Sequence, residues 1–205
     1  YFNVTIKDTN EIINGKSGMS WGEFEARAMV KTSKNNPSVI MWSIGNEVLE
    51  GIGGDTSNYT TIAQNIVNWI QDEDMTRPVT IGENKSKNND SRAIAISNII
   101  ANSGGIVGLN YANGDQFRNL RNANPSWILY GSETSSAVHS RGYYKSINRS
   151  DQSNEDLQIP EFDNNSNRVG WGHSASDAWK YTIKNDYNAG EFVWTGFDYI
   201  GEPTP

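Results

Sequence analysis

Five short apolar runs alternate with segments of helical periodicity along the 205 residues, and this alternation constrains the fold more than any other feature. The runs lie at residues 39–44, 79–82, 106–111, 127–132 and 190–201, the last centred on residues 192–194. The helical segments fall at 21–35, 58–71, 92–104, 115–124 and 174–188. Short, near-continuous apolar strands are buried on both faces, which is the signature of a parallel sheet covered by helices. The order α-β-α-β-α-β-α-β-α-β suits either a doubly wound sheet or a (β/α)₈ barrel.

Local signals support these elements. Over residues 21–35, Trp21, Phe24, Ala28 and Met29 supply one apolar face, and Asn36-Pro37 ends the helix because the residue before proline avoids the α region. Ile62 and Ile66, continued by Trp69 or Ile70, give the next helix its stripe. Gly104 and Gly105 stop the third helix, and Gly190 is the expected stop of the last. The polar stretch 140–168 reads as an extended surface loop. No internal repeat or linker is visible.

The ends of the runs decide between the two folds. No Gly-x-Gly-x-x-Gly turn follows any strand, and "GIGGD" at 51–55 lies too far from a strand end to cradle a phosphate. The runs end instead on Asn46-Glu47, Glu83-Asn84, Asn110-Tyr111 and Ser132-Glu133, and the last passes into Thr195 and Asp198. In a barrel all such ends converge on one mouth, where barrel enzymes carry out their chemistry. The expected fold is therefore α/β, a partial TIM (β/α)₈ barrel with five βα units in one domain over residues 1–205.

Composition narrows the partners. With 17 Lys and Arg against 24 Asp and Glu, the net charge of −7 argues against nucleic acid and anionic membranes. No apolar run approaches 18 residues, so no membrane span is expected. The opening "YFNVTIKDTN" lacks a basic region followed by an apolar one, so no signal peptide is visible and a cytoplasmic location is slightly favoured. The absence of Cys excludes disulfides, thiolate metal sites and a thiol nucleophile. His139 and His173 have no partner at metal-ligand spacing and read as structural or loop residues, so no metal ligands are assigned. The Asn-x-Ser/Thr matches at Asn3, Asn58 and Asn148 are what an Asn-rich chain contains by chance.

Two carboxylates at separate strand ends of one mouth suit glycoside hydrolysis, with a separation of about 5–5.5 Å for retention and roughly 6.5–9.5 Å for inversion. Taken alone, Asn46 could equally be a helix N-cap with Glu47 in its first turn, and Glu133 a solvated loop carboxylate. Tyr111 and Trp194 could be core aromatics, and Glu83 could support the pocket or be solvated, so it is left outside the catalytic set.

The segments themselves carry a resemblance. "NNPSVIMWSIGNE" is similar to the acid/base segment at barrel strand 4 of glycoside hydrolase family 2, and "WILYGSET" to its nucleophile segment at strand 7. "GEFVWTGFDYIGEPTP" resembles strand 8, while "TRPVTIGEN" and "IVGLNYANGD" match strands 5 and 6 in order and spacing. The bacterial β-galactosidase branch matches best. The resemblance implies Glu47 as general acid/base, Glu133 as nucleophile, Asn46 on the sugar 2-hydroxyl, Tyr111 on the nucleophile carboxylate and Trp194 against the sugar ring. It implies hydrolysis of terminal β-D-galactosides with no cofactor, while admitting Mg²⁺ or Na⁺ near the site through ligands not identified.

Strands 1–3 and the family's N-terminal sandwich domains are not recognisable, and the first 21 residues resemble the loop after strand 3. An open five-stranded piece would expose two sheet edges, so self-association through them is expected. The alternatives are a β-glucuronidase or β-mannosidase of the same family, or an inert sugar-binding piece. A glucuronidase needs a cation for the substrate carboxylate, and no Lys or Arg stands at the strand ends named above.

Overall fold

The first helix is set by its cap. Ser20 is extended and its hydroxyl accepts the Glu23 amide at 3.1 Å, which starts α1 (Trp21–Ser33). The computed structural model describes residues 19–50, 58–136 and 171–197. The loop expected at 140–168, His139, Asn3, Asn148 and Asp198 lie outside them.

The buried stripe of α1 is Gly22, Ala26 and Val30, not the face of Trp21, Phe24, Ala28 and Met29 expected from the pattern. Small residues four apart allow α1 to approach its neighbour closely, and the large side chains flank that seam. Trp21 and Phe24 meet edge to face at 5.9 Å. Arg27 then reaches α2 (Tyr59–Glu73), donating to Asp72 at 2.9 Å and Glu73 at 3.1 Å.

β1 (Trp42–Asn46) starts three residues later than its apolar run. Pairing begins where the Trp42 amide donates to the Pro78 carbonyl, whereas the Val39 carbonyl is taken by the Arg77 guanidinium. Buried Asp74 holds this corner together. It accepts from the Trp42 indole at 3.0 Å, from Thr76 through both amide and hydroxyl, and from Arg77 at 2.5 Å. These donors, Thr76 foremost, hold its carboxyl well below the usual range.

The remaining elements follow the predicted order: β2 (Val79–Glu83), α3 (Ser91–Asn102), β3 (Ile106–Asn110), α4 (Gly114–Ala123), β4 (Leu129–Ser135), α5 (Ala175–Ile183) and β5 (Asn188–Trp194). On α2 the stripe runs Ile62, Ile66, Ile70, with Trp69 only partly buried. α4 carries a capping box in which Asn113 and Gln116 exchange hydrogen bonds. α5 is shorter than expected, because the Asn185 side chain donates back to the Tyr181 carbonyl. Gly190, expected as the helix stop, lies inside β5 with φ +138°.

Among the described residues the sheet has five strands, all parallel, in the spatial order β1-β2-β3-β4-β5. Right-handed crossovers that always step in the same direction place every helix on one face. A doubly wound sheet would reverse its strand order partway, and this one does not. The sheet is a five-strand arc of a (β/α)₈ barrel. Ile44, Ile81, Leu109 and Leu129 belong to the core shared with the helices, together with Ile66, Ile96, Ile100 and Phe117. Thr80, Gly82, Gly108 and Tyr130 share the opposite face by register and alternation, and the Thr80 and Tyr130 hydroxyls meet at 3.1 Å.

Candidate active site

A strand delivers alternate residues to alternate faces, so one extra residue re-aims everything after it. Among the register shifts of the sheet, two aim the residues at the ends of β1 and β4. Between the Ser43↔Thr80 and Asn46↔Gly82 pairs, β1 advances three residues while β2 advances two. Asn46 is thereby turned to the face of Gly82. Between the Leu109↔Gly131 and Asn110↔Glu133 pairs, β4 advances two residues while β3 advances one. That sets Glu133 opposite Asn110.

Asn110, fully buried at the end of β3, is the hub. Its amide nitrogen donates to Asn46 Oδ1 at 3.0 Å and to Glu47 Oε1 at 2.9 Å. Its amide oxygen accepts from the Ser132 hydroxyl at 2.5 Å. The contact from β1 to β3 crosses β2 at Gly82, where a Cβ would come within 2.4 Å of Asn46 Oδ1. Glycine is required there because the Asn46 side chain fills the space that a Cβ would take.

Glu47 follows β1 directly, with its amide donating to the Gly82 carbonyl at 2.8 Å and φ at +46°. No helix begins between Asn46 and Glu50, so Asn46 is not an N-cap there. Burial raises the Glu47 carboxyl above the ordinary carboxylate range. The Asn110 amide opposes that rise, the Glu133 and Glu50 charges add to it, and Lys87 offsets part of it. A carboxyl raised in this way holds its proton to higher pH than an ordinary glutamate, the direction that suits a general acid.

Tyr111, at φ +55°, attaches to Glu133 twice. Its amide donates to the Glu133 carbonyl at 2.7 Å and its hydroxyl to Glu133 Oε2 at 2.7 Å. Burial, reinforced by the Glu133 carboxylate, pushes the phenol well above its usual range, so it remains a donor. Trp194 ends β5 beside Ser135 of β4 and is 44% exposed.

The five residues singled out in the sequence thus stand at strand ends on one side of the sheet, and hydrogen bonds join Asn46 to Glu47 through Asn110, and Tyr111 to Glu133. Asn110, Ser132 and Lys87 were not singled out. Asn110 did stand at a strand end beside Tyr111, which was the available signal. Lys87 sits in a 3₁₀ turn (Ser86–Asn88) that no periodicity announces.

Other polar groups have structural work. Glu83 is 2% exposed, and its two carboxylate oxygens accept the Lys85 amide at 2.8 Å and the Ser86 amide at 2.6 Å. His173 exchanges backbone and hydroxyl hydrogen bonds with Ser135. A groove of about 800 Å³ lined by Arg27, Trp69, Asp72 and Met75 lies near the N-terminal ends of the strands, remote from the carboxylates. Among the described residues, no group of three His, Asp or Glu side chains is placed to hold a metal ion.

Known proteins match this chain over most of its length. A β-galactosidase of Bacteroides ovatus is 31% identical over 221 aligned residues, covering 90% of this chain and 25% of that protein. A solved family 2 glycosyl hydrolase from Bacteroides cellulosilyticus superimposes with a TM-score of 0.58 at 25% identity, over 86% of this chain and 17% of that one. A β-D-glucuronidase of Dictyoglomus thermophilum shares the fold, with a TM-score of 0.59 at 17% identity over 89% of this chain and 29% of that one. The chain therefore spans a quarter of the length of its curated relative. The model of the "Glycosyl hydrolases family 2, TIM barrel domain" matches residues 21–148, from α1 to beyond β4, and so takes in both carboxylates. Family model, relative and barrel arc agree, and the chain belongs to glycosyl hydrolase family 2 as part of its TIM barrel domain.

Proposed function

We propose that this chain supplies the acid/base and the nucleophile of a retaining hydrolase of terminal β-D-galactosides. The observation that carries the reading is the division of labour between two strand-end carboxylates. Glu47 is held in a partly buried, proton-retaining setting, and Glu133 is aimed by a phenol that stays a donor. In the first step a Glu133 oxygen bonds to the anomeric carbon as the glycosidic C–O bond breaks, and Glu47 passes its proton to the leaving oxygen. In the second step Glu47 takes a proton from water, the water oxygen bonds to the anomeric carbon, and the Glu133 carboxylate departs. Asn46 accepts or donates at the sugar 2-hydroxyl, Trp194 packs against the ring, and no cofactor enters either step.

The galactoside preference draws support from the B. ovatus relative, which is named a β-galactosidase. The two Lys residues of the β2–α3 loop near the mouth, Lys85 and Lys87, are both engaged. Lys85 pairs with Glu50 at 2.6 Å, and Lys87 donates to two backbone carbonyls. A uronate would have to compete for one of them. Hydrolysis of a panel of nitrophenyl β-glycosides by the full-length protein tests the choice. Turnover of the galactoside above the glucuronide, galacturonide and mannoside is the expected result. A preference for a uronide would move the assignment within the family, and binding without any turnover would overturn it.

The hub makes a separate prediction. Asn110→Ala removes a donor that favours ionised Glu47, so the Glu47 pKa should rise further. Since the acid must be protonated, the alkaline limb of the kcat/KM–pH profile should move to higher pH. Loss of the aligned carboxyl should lower kcat/KM about 10- to 100-fold at neutral pH. A downward shift of that limb would contradict the role given to Asn110.

A further inference from the structure

The turn after β2 is tied to the strand-end residues of the site. Glu83 anchors the turn by accepting the amides of Lys85 and Ser86. From that anchored turn, the half-buried Lys87 ammonium donates to the carbonyl of Asn110 at 2.7 Å and to that of Tyr111 at 3.0 Å. It also stands 5.7 Å from the centre of the Tyr111 ring. Tyr111 has a left-handed backbone at φ +55°, which a tyrosine holds only when its surroundings enforce it. The groups fixed by this clamp are the ones that matter for the chemistry. The Asn110 amide holds Glu47, and the Tyr111 hydroxyl holds Glu133.

We propose that Lys87 is a positioning residue of this site, clamping the Asn110–Tyr111 turn so that the Tyr111 hydroxyl stays on the Glu133 carboxylate. A four-carbon stem ending in three rotatable donors suits the task, since it can satisfy two neighbouring carbonyls and still face the ring. Burial lowers the pKa of its ammonium, and the charges of Glu47, Glu83 and Glu50 offset only part of that. Lys85, the neighbouring cation, adds to the lowering.

This inference rests on the proposed reading of Glu133 as nucleophile and is tested by a double-mutant cycle in the full-length protein. The variants are Lys87→Met, Tyr111→Phe and the pair, assayed with whichever aryl glycoside the substrate panel identifies. The 2-deoxy-2-fluoro glycosyl fluoride of the same sugar provides a second readout, because its rate of covalent labelling reports nucleophile alignment. Lys87→Met should lower kcat and the labelling rate about 10- to 100-fold, with KM changed less than about threefold. In the labelling rate, which needs little acid assistance from Glu47, the double variant should be no worse than the weaker single variant by more than about threefold, because both act on Glu133 through one hydroxyl. Lys87→Arg, which keeps charge and donors, should recover most of the labelling rate. If Lys87→Met does not fold, Lys87→Gln replaces it in the cycle. Multiplying losses, an unchanged labelling rate, or a rise in KM alone would overturn the role of Lys87. A wild-type protein that turns over no glycoside would instead overturn the functional reading beneath it.

Discussion

Replacing Glu133 by Gln in the full-length protein is expected to abolish turnover with every leaving group, a loss of about 10⁴-fold or more in kcat. The amide keeps the size of the side chain and can still face Tyr111, so the geometry of the site should persist. What disappears is the nucleophilic oxygen, and no glycosyl–enzyme bond can form without it. Glu47→Gln should behave differently. Its loss should be about 10²- to 10⁴-fold where the departing oxygen must be protonated, and much smaller in the first step for an activated aryl leaving group. With such substrates the second step then limits, because no base remains to activate water. Azide, which needs no deprotonation, should partly restore turnover and yield a β-glycosyl azide. The pH profile adds an independent check. Burial and the Glu133 and Glu50 charges raise the Glu47 pKa, so the alkaline limb of kcat/KM should lie above the ordinary carboxylate range and vanish in the Glu47→Gln variant. Equal losses for both variants with all leaving groups, without azide rescue, would reject the assignment of roles.

The sequence carried this division of roles only in outline, and the reason is geometric. Order and type of the elements were legible because the apolar runs and helical stripes report burial directly. The barrel was legible because polar residues gather after each run. Strand ends were less so: the run at 39–44 mixes strand with three residues before it, the first of which gives its carbonyl to Arg77, and periodicity cannot separate the two. The α1 face was misjudged for a related reason. Large apolar residues dominate a pattern, but Gly22, Ala26 and Val30 form the seam because they are small or compact. The bulges at the ends of β1 and β4 were invisible, since an extra residue in a ladder is a relation between strands. Yet the bulges set Asn46 over Gly82 and Glu133 opposite Asn110. The sequence thus places Glu47 and Glu133 at strand ends, while the network around them is a matter of the three-dimensional structure. Lys87 shows the limit most clearly, for its partners are backbone carbonyls more than twenty residues away.

The 205-residue chain taken alone is expected to show little or no glycosidase activity and to self-associate. A closed barrel has no edges, but among the described residues β1 and β5 each have a strand neighbour on one side only. Phe192, Val193 and Trp194 of β5 are exposed, and Phe197 just beyond it is 89% exposed. On α5, Trp179 and Ile183 are also uncovered. Apolar surface beside an open ladder favours pairing with a second copy, through backbone hydrogen bonds and burial together. The site is affected by the same opening. Trp194, proposed to carry the sugar ring, belongs to the edge strand, and catalytic groups must be held to within about 0.5 Å by supporting side chains. The Asn110–Ser132 and Tyr111–Glu133 contacts lie in the interior of the arc, and Asn110 ties Glu47, at the end of the edge strand β1, to that interior, so both carboxylates can be in place while the sugar pocket is incomplete. Light scattering on the purified chain should show species larger than a monomer, and a nitrophenyl galactoside assay should show at least a 10³-fold deficit, about 4 kcal/mol of transition-state stabilisation, against the full-length protein. A monomeric chain turning over at the full-length rate would show that this chain alone holds the pocket.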